Sequence, residues 1–200
     1  MYGLPISTER KRQLPKKAIY AKFDLTTVQR EGFDADVTRI DIVAVVSPAT
    51  IPALGEGTEV KEFYVLDVQM KRREYDAKNI LLLTRLIAQH MVFALRYEEQ
   101  VQFAIFHTKL FTTAWQPAEQ ATLPLSGLNL DAVWENIVKE IGLIEIVDGH
   151  TLAEQIADDE QRVKLLTQIA ILERKMTNEK QSRKKREYFK MIRRLRDDIC

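Results

Sequence analysis

From Leu152 to Ile199 the chain runs for about 48 residues without a glycine or a proline, through good helix formers, with Leu165, Ile169, Leu172 and Met176 at helical spacing. A straight helix of that length reaches roughly 70 Å, well beyond the width of the domain that the preceding residues can build. The stretch therefore either folds back on itself or meets a partner. A second apolar block, Tyr188, Ile192, Leu195 and Ile199, follows a polar gap at Thr177 to Glu187. Two apolar blocks with a polar gap between them fit a helical hairpin, or a long coiled-coil-like helix that contacts different partners at its two ends.

Charge divides the same stretch another way. The formal net charge of +1 hides an asymmetry: residues 1–150 hold 17 Lys/Arg against 20 Asp/Glu, and residues 151–200 hold 13 against 9. Eleven Lys/Arg lie between Arg174 and Arg196, with Glu179 and Glu187 as the only acids among them. A basic helix can track phosphates and release their counterions, which makes Lys180, Arg183, Lys184, Lys185, Arg186, Lys190, Arg193 and Arg194 the candidate nucleic-acid contacts. Leu165, Ile169, Leu172, Met176, Tyr188, Ile192 and Leu195 are the candidate helix-packing or partner contacts. A solvated charged face over a helix–helix seam accounts for the same pattern without any ligand.

Residues 1–150 read as an α+β domain. Two prolines and the run Arg10, Lys11, Arg12, Lys16, Lys17 suggest an extended, solvated leader. Asp24 is a possible N-cap for a short helix ended by Gly32. Val37 to Val46 is β-branched and nearly continuous, as in a strand buried on both faces, and Glu59 to Lys71 alternates as a second strand. Asp76 can cap a helix over Ala77 to Gln89, and Met91 to Tyr97, Val101 to His107 and Leu110 to Trp115 read as three further strands. A last helix, Ala132 to Ile141, has Asn129 or Asp131 as N-cap and Gly142 as C-cap. The expected fold is a mostly antiparallel sheet of about five strands with packed helices, over residues 1–147, followed by a basic helical arm or hairpin over residues 148–200.

The polar residues on these elements carry little chemistry. Asp67, Gln69 and Lys71 share one strand face, with Asp41 on an earlier strand and a helix following. Nucleases of the restriction-endonuclease-like fold use a similar layout, acidic oxygens holding Mg²⁺ beside a lysine, but here Gln69 stands where their acid would be. A polar face at a sheet edge is the plainer reading. His90, His107 and His150 are widely spaced and read as surface or loop histidines, and Trp115 reads as a core anchor. There is no phosphate-binding glycine loop and no nucleophile elbow. The single cysteine, Cys200, forms no internal disulfide and no zinc cluster, and no apolar run is long enough to span a bilayer. These features set the expectation of a soluble, cytoplasmic protein with no cofactor and no metal.

Several short patterns in order, Leu4-Pro5-x-Ser7-Thr8, Pro15-Lys16 with Tyr20, Ser47-Pro48-x-Thr50, Thr113-x-Trp115, Gly127-Leu128-Asn129-Leu130-Asp131 and Glu179-Lys180-Gln181-x-x-Lys184, span nearly the whole chain. Together they resemble an uncharacterised prokaryotic domain family encoded beside helicases and DNA methyltransferases of restriction-modification type. The resemblance implies a setting and no catalytic residues. The expected function is a non-catalytic accessory subunit of a restriction-modification or defence system. Its helical arm would dock a helicase, a methyltransferase or a second copy of the chain. The alternatives are DNA binding through the basic arm, or a degenerate nuclease.

Overall fold

The computed structural model describes residues 1–87, 89–147 and 149–198, and divides the chain into two compact units, Met1–Glu145 and Ile146–Cys200. Ile199 and Cys200, both of which enter the sequence reading, lie outside the described residues.

The first unit is α+β. Strand β1 (Glu9–Gln13) is followed by helices α1 (Lys16–Lys22) and α2 (Thr27–Asp36), strands β2 (Val37–Val46) and β3 (Phe63–Met70), helix α3 (Ala77–Thr84), and strands β4 (His90–Tyr97), β5 (Gln100–Phe106), β6 (Leu110–Thr112) and β7 (Gln116–Pro117). Helix α4 (Leu130–Gly142) completes it. The sheet has seven strands in the order β1-β2-β3-β4-β5-β6, with β7 also pairing β5, so it is larger than the five strands expected. Every pairing is antiparallel except β3 with β4, which α3 joins as a parallel crossover.

Period-two alternation sends Ile40, Ile42, Leu66, Val68, Met70, Phe93 and Leu95 to one face of the sheet, where Ile19, Phe33, Ile80 and Leu83 of α1, α2 and α3 close the core. On the other face Phe63 packs its ring 5.6 Å from Trp134 of α4, and Tyr2 meets Phe103 edge-on at 5.4 Å. Strand β3 is thus buried on both faces, whereas β2, expected to be so, exposes Thr38 and Arg39 and from Ile40 alternates between buried and half-buried positions.

Three further expectations are corrected. The basic leader is an edge strand: β1 pairs with β2, and Tyr2, Leu4 and Thr8 before it are buried. Its five exposed, largely charged residues suit an edge, where charge opposes pairing with other chains. The α2 cap is Thr26, which forms a reciprocal capping box with Gln29, and Gly32 lies inside the helix. Helix α3 stops at Thr84 and β6 at Thr112, so Trp115 lies beyond the strand, half-buried against the core with the Arg73 guanidinium over its ring.

Both N-cap candidates of α4 are used. Asn129 accepts from Ala132 N–H as the N-cap, while Asp131 reaches back to accept from the N–H groups of Thr58, Glu59 and Val60 at 2.5, 3.1 and 2.7 Å. Those bonds hold the Asp131 carboxyl below the usual carboxylate range. They also leave no room at Gly57, where a Cβ would lie 2.3 Å from Asp131 Oδ1 and 2.5 Å from Val60 O.

Asp36, at 0 % exposure, ties three elements together. Its carboxylate pairs with Arg72 and accepts from Asp76 N–H at 2.9 Å and Asn79 Nδ2 at 2.7 Å, and its carbonyl accepts from Lys71 N–H at 2.7 Å. The end of α2, the end of β3 and the start of α3 are tied at one point. Asp36→Ala strands the Asp76 and Asn79 donors and is expected to cost about 3 kcal/mol in a urea titration, with Asp36→Asn, which retains an acceptor oxygen, costing less. Equal stability of the wild type and Asp36→Ala would contradict this role.

Candidate functional site

In the second unit the long glycine-free stretch is a helical hairpin. Helix α5 (Leu152–Asn178) begins with a Thr151–Glu154 capping box, and α6 (Ser182–Asp197) packs against it after a three-residue connection. That connection falls inside the polar gap. It contains no glycine, and Glu179 takes over the work: its Oε1 accepts from Lys180 N–H at 2.9 Å and Gln181 N–H at 3.0 Å. Gln181, the N-cap of α6, makes no side-chain cap bond of its own. The same two bonds, that to Gln181 foremost, hold the Glu179 carboxyl below its ordinary range.

The apolar candidates lie along the inside of the hairpin. Ile169 and Ile192 are buried, and Leu165, Leu172, Met176, Tyr188 and Leu195 are half-buried. Arg196 and Glu173 join the two helices at 2.8 Å. The basic candidates Lys180, Arg183, Lys184, Lys185, Arg186, Lys190, Arg193 and Arg194 are all exposed, Lys180 in the connection and the other seven on α6.

At 100° per residue, Arg183, Arg186, Lys190, Arg193 and Arg194 form one stripe opposite the Tyr188–Ile192–Leu195 seam, about 17 Å long. Within that stripe Arg183 pairs with Glu187 at 3.5 Å, and among the described residues the other four have no ion-pair partner. A solvated row of cations on a helix backed by its own seam is a surface for anions.

In the first unit, Asp41 and Asp67 are direct register partners on β2 and β3, and both line a cleft of about 640 Å³ on the sheet face that carries α4. Gln69 lines it too. Lys71 lies past the end of β3, is exposed, and does not line the cleft. Each carboxylate already has a cation. Arg39 grips Asp41 through Nε at 2.6 Å and Nη2 at 2.9 Å, while Arg96 pairs with Asp67, which also accepts from Tyr2 OH at 2.8 Å. Burial opposes the charge on Arg96 but the Asp67 carboxylate outweighs it, and Tyr2 is pushed well above the ordinary tyrosine range, by burial first and then by Asp67.

Both carboxylates are paired with arginines, and among the described residues no group of three or more His, Cys, Asp or Glu is placed to hold a metal. Sequence reading had missed Tyr2, Arg39 and Arg96. The available signal was a lone charge inside an apolar strand, Asp67 in β3 and Arg96 in β4, each of which needs a buried partner.

Of the three histidines, His90 and His107 line one cavity of about 320 Å³. His150 sits 3.4 Å from Asp158 in the second unit. His90, at the start of β4, is half-buried rather than a surface residue, with its ring edge-on to Trp134 at 4.6 Å.

The chain belongs to a family described as a domain of unknown function, DUF4391. The match covers residues 2–199, so both units lie within the family's extent. No curated protein and no solved structure matches the chain. Among the described residues no helix is long and apolar enough to cross a membrane.

Burial, reinforced by His107, lowers the pKa of His90 below the ordinary value. The unfolded chain therefore takes up a proton at this position that the folded chain resists, and stability falls as pH drops below about 6.5. Thermal midpoints between about pH 7 and about pH 5 are expected to fall less steeply for His90→Gln than for the wild type. Identical slopes would remove His90 as the cause.

Proposed function

We propose that this DUF4391 chain is a non-catalytic accessory component of a DNA restriction-modification or defence system, and that it engages nucleic acid through the basic face of its C-terminal hairpin. One observation carries the reading: α6 packs its apolar residues against α5 and exposes Arg183, Arg186, Lys190, Arg193 and Arg194 in a row on its opposite face. The seam at Leu165, Ile169, Leu172 and Met176 has an occupant within the chain, which weakens it as a partner site. Among the described residues, four of the five cations in the row have no ion-pair partner. The resemblance to a family encoded beside helicases and methyltransferases supplies the setting and makes DNA the expected ligand.

A second reading, docking of a helicase or methyltransferase protein, is favoured by one further observation. Val163 and Leu166 on α5 are 61 % and 50 % exposed, and Phe189 on α6 is 59 % exposed. Apolar side chains at that exposure on a hairpin suit a protein contact more than a phosphate one.

The test is fluorescence anisotropy of the full chain with a labelled DNA duplex at about 50 mM salt. Changing Arg183, Arg186, Lys190, Arg193 and Arg194 together to Gln keeps helix propensity and leaves the seam intact. The variant is expected to bind on the order of 10²- to 10³-fold more weakly while melting at the wild-type temperature. Binding by the variant equal to wild type would refute the role of α6, and absence of binding by the wild type would refute nucleic-acid contact altogether.

A further inference from the structure

The cleft of the first unit has features that structural pairing alone does not require. Arg39 meets Asp41 side-on, through Nε and Nη2, so its plane is fixed and Nη1 is left with two unshared donors. Arg96 is fixed by Asp67, itself held from behind by Tyr2 at 2.8 Å and only 6 % exposed. Yet the side chains of Arg39 and Arg96 remain 53 % and 40 % exposed at the cleft they line. Each guanidinium is thus oriented by a carboxylate and open to an incoming ligand, as a second shell orients a binding group.

The strands are distorted where they meet the cleft. The β1–β2 register shifts between Glu9 and Arg12, and the β2–β3 register shifts between Val37 and Arg39 and again between Ile42 and Ala44. A bulge turns consecutive residues toward one side, and here Arg10 and Lys11 both line the cleft. Among the described residues neither Arg10 nor Lys11 has an ion-pair partner. The carboxylates on the floor are neutralised by Arg39 and Arg96, so the uncompensated charge at the rim is positive, with Glu9 the one acid placed against it.

We infer that this cleft binds a phosphate-bearing ligand of nucleotide size, with Arg39 and Arg96 as oriented forks for phosphate oxygens and Lys11 as an additional cation. The volume, about 640 Å³, lies in the range of small-molecule sites. Among the described residues no aromatic side chain lines the cleft, so recognition is of phosphate rather than of a stacked base. The inference is independent of α6, and two sources share its chemistry: a free nucleotide and the 5′-phosphorylated end of a strand.

The experiment uses the full chain carrying the five glutamines on α6, which silences that surface. Calorimetry measures binding of deoxyadenosine monophosphate, and of a short single-stranded oligonucleotide with and without a 5′-phosphate. Saturable binding of the monophosphate or of the phosphorylated strand is expected. It should weaken on the order of 10- to 100-fold in Arg39→Gln, with Arg96→Lys, which keeps the charge but loses the fork, and Lys11→Gln also weakened.

Tighter binding of the phosphorylated strand than of the monophosphate assigns the strand end, and equal binding assigns the free nucleotide. Arg39 and Lys11 are exposed, so unchanged thermal midpoints in their variants separate lost binding from lost folding. Failure of the wild-type cleft to bind either phosphorylated probe, or binding by Arg39→Gln and Lys11→Gln equal to the parent, overturns the inference.

Discussion

A fully buried carboxylate, Asp36, is the constraint on which the first unit turns. An ionised group with no exposure is tolerated only where donors surround it, and here they come from Arg72, Asp76 and Asn79, which flank the turn from β3 into α3. Fixing that turn fixes the parallel crossover from β3 to β4. The crossover in turn sets Gln69 beside Arg96 and Asp67 beside Ala94, close enough for Arg96 to reach the Asp67 carboxylate. The geometry of the cleft therefore rests on a polar knot at the end of the sheet rather than on the cleft's own residues.

The second unit solves a different problem. A helix of α5's length with a basic continuation has an apolar stripe to cover and a concentration of like charge to keep apart. Turning at Glu179 meets both demands: the stripes of α5 and α6 face one another, and the cations of α6 are driven to the outside, where water screens their repulsion. The turn is made by a side chain that caps two N–H groups, so it needs no glycine. That same carboxylate lies near Lys184 and Lys185, which add to the lowering of its pKa after the hydrogen bonds to Gln181 and Lys180.

Where the sequence could be read, it was through periodicity and caps. Val37 to Val46 matches β2 residue for residue because β-branching and the Ser47-Pro48 stop coincide, and Asp76 caps α3 as its position suggests. The chain's α+β class and its helical C-terminus followed from the same signals. What failed was long-range. A five-residue charged segment shows no strand periodicity, and β1 exists because β2 offers it an edge. Thr26 outcompeted Asp24 because only Thr26 has Gln29 three residues on to complete a capping box. At the cleft, Asp41 and Asp67 were legible as polar strand residues, but their arginines lie on the same strand in one case and on the next strand in the other. No spacing rule encodes both.

These features describe an α+β unit with an arginine-lined cleft and a helical hairpin that carries its charge outward. The reading as a nucleic-acid-binding accessory component stands on the hairpin. Its most direct test is the slope of log Kobs against log salt for duplex DNA, measured on the full chain before and after neutralising the five-residue stripe. If α6 neutralises phosphates, the slope is steep and becomes shallower by about 4 to 5 on loss of the five cations. An unchanged slope, with affinity otherwise intact, would place the contact elsewhere and contradict the account.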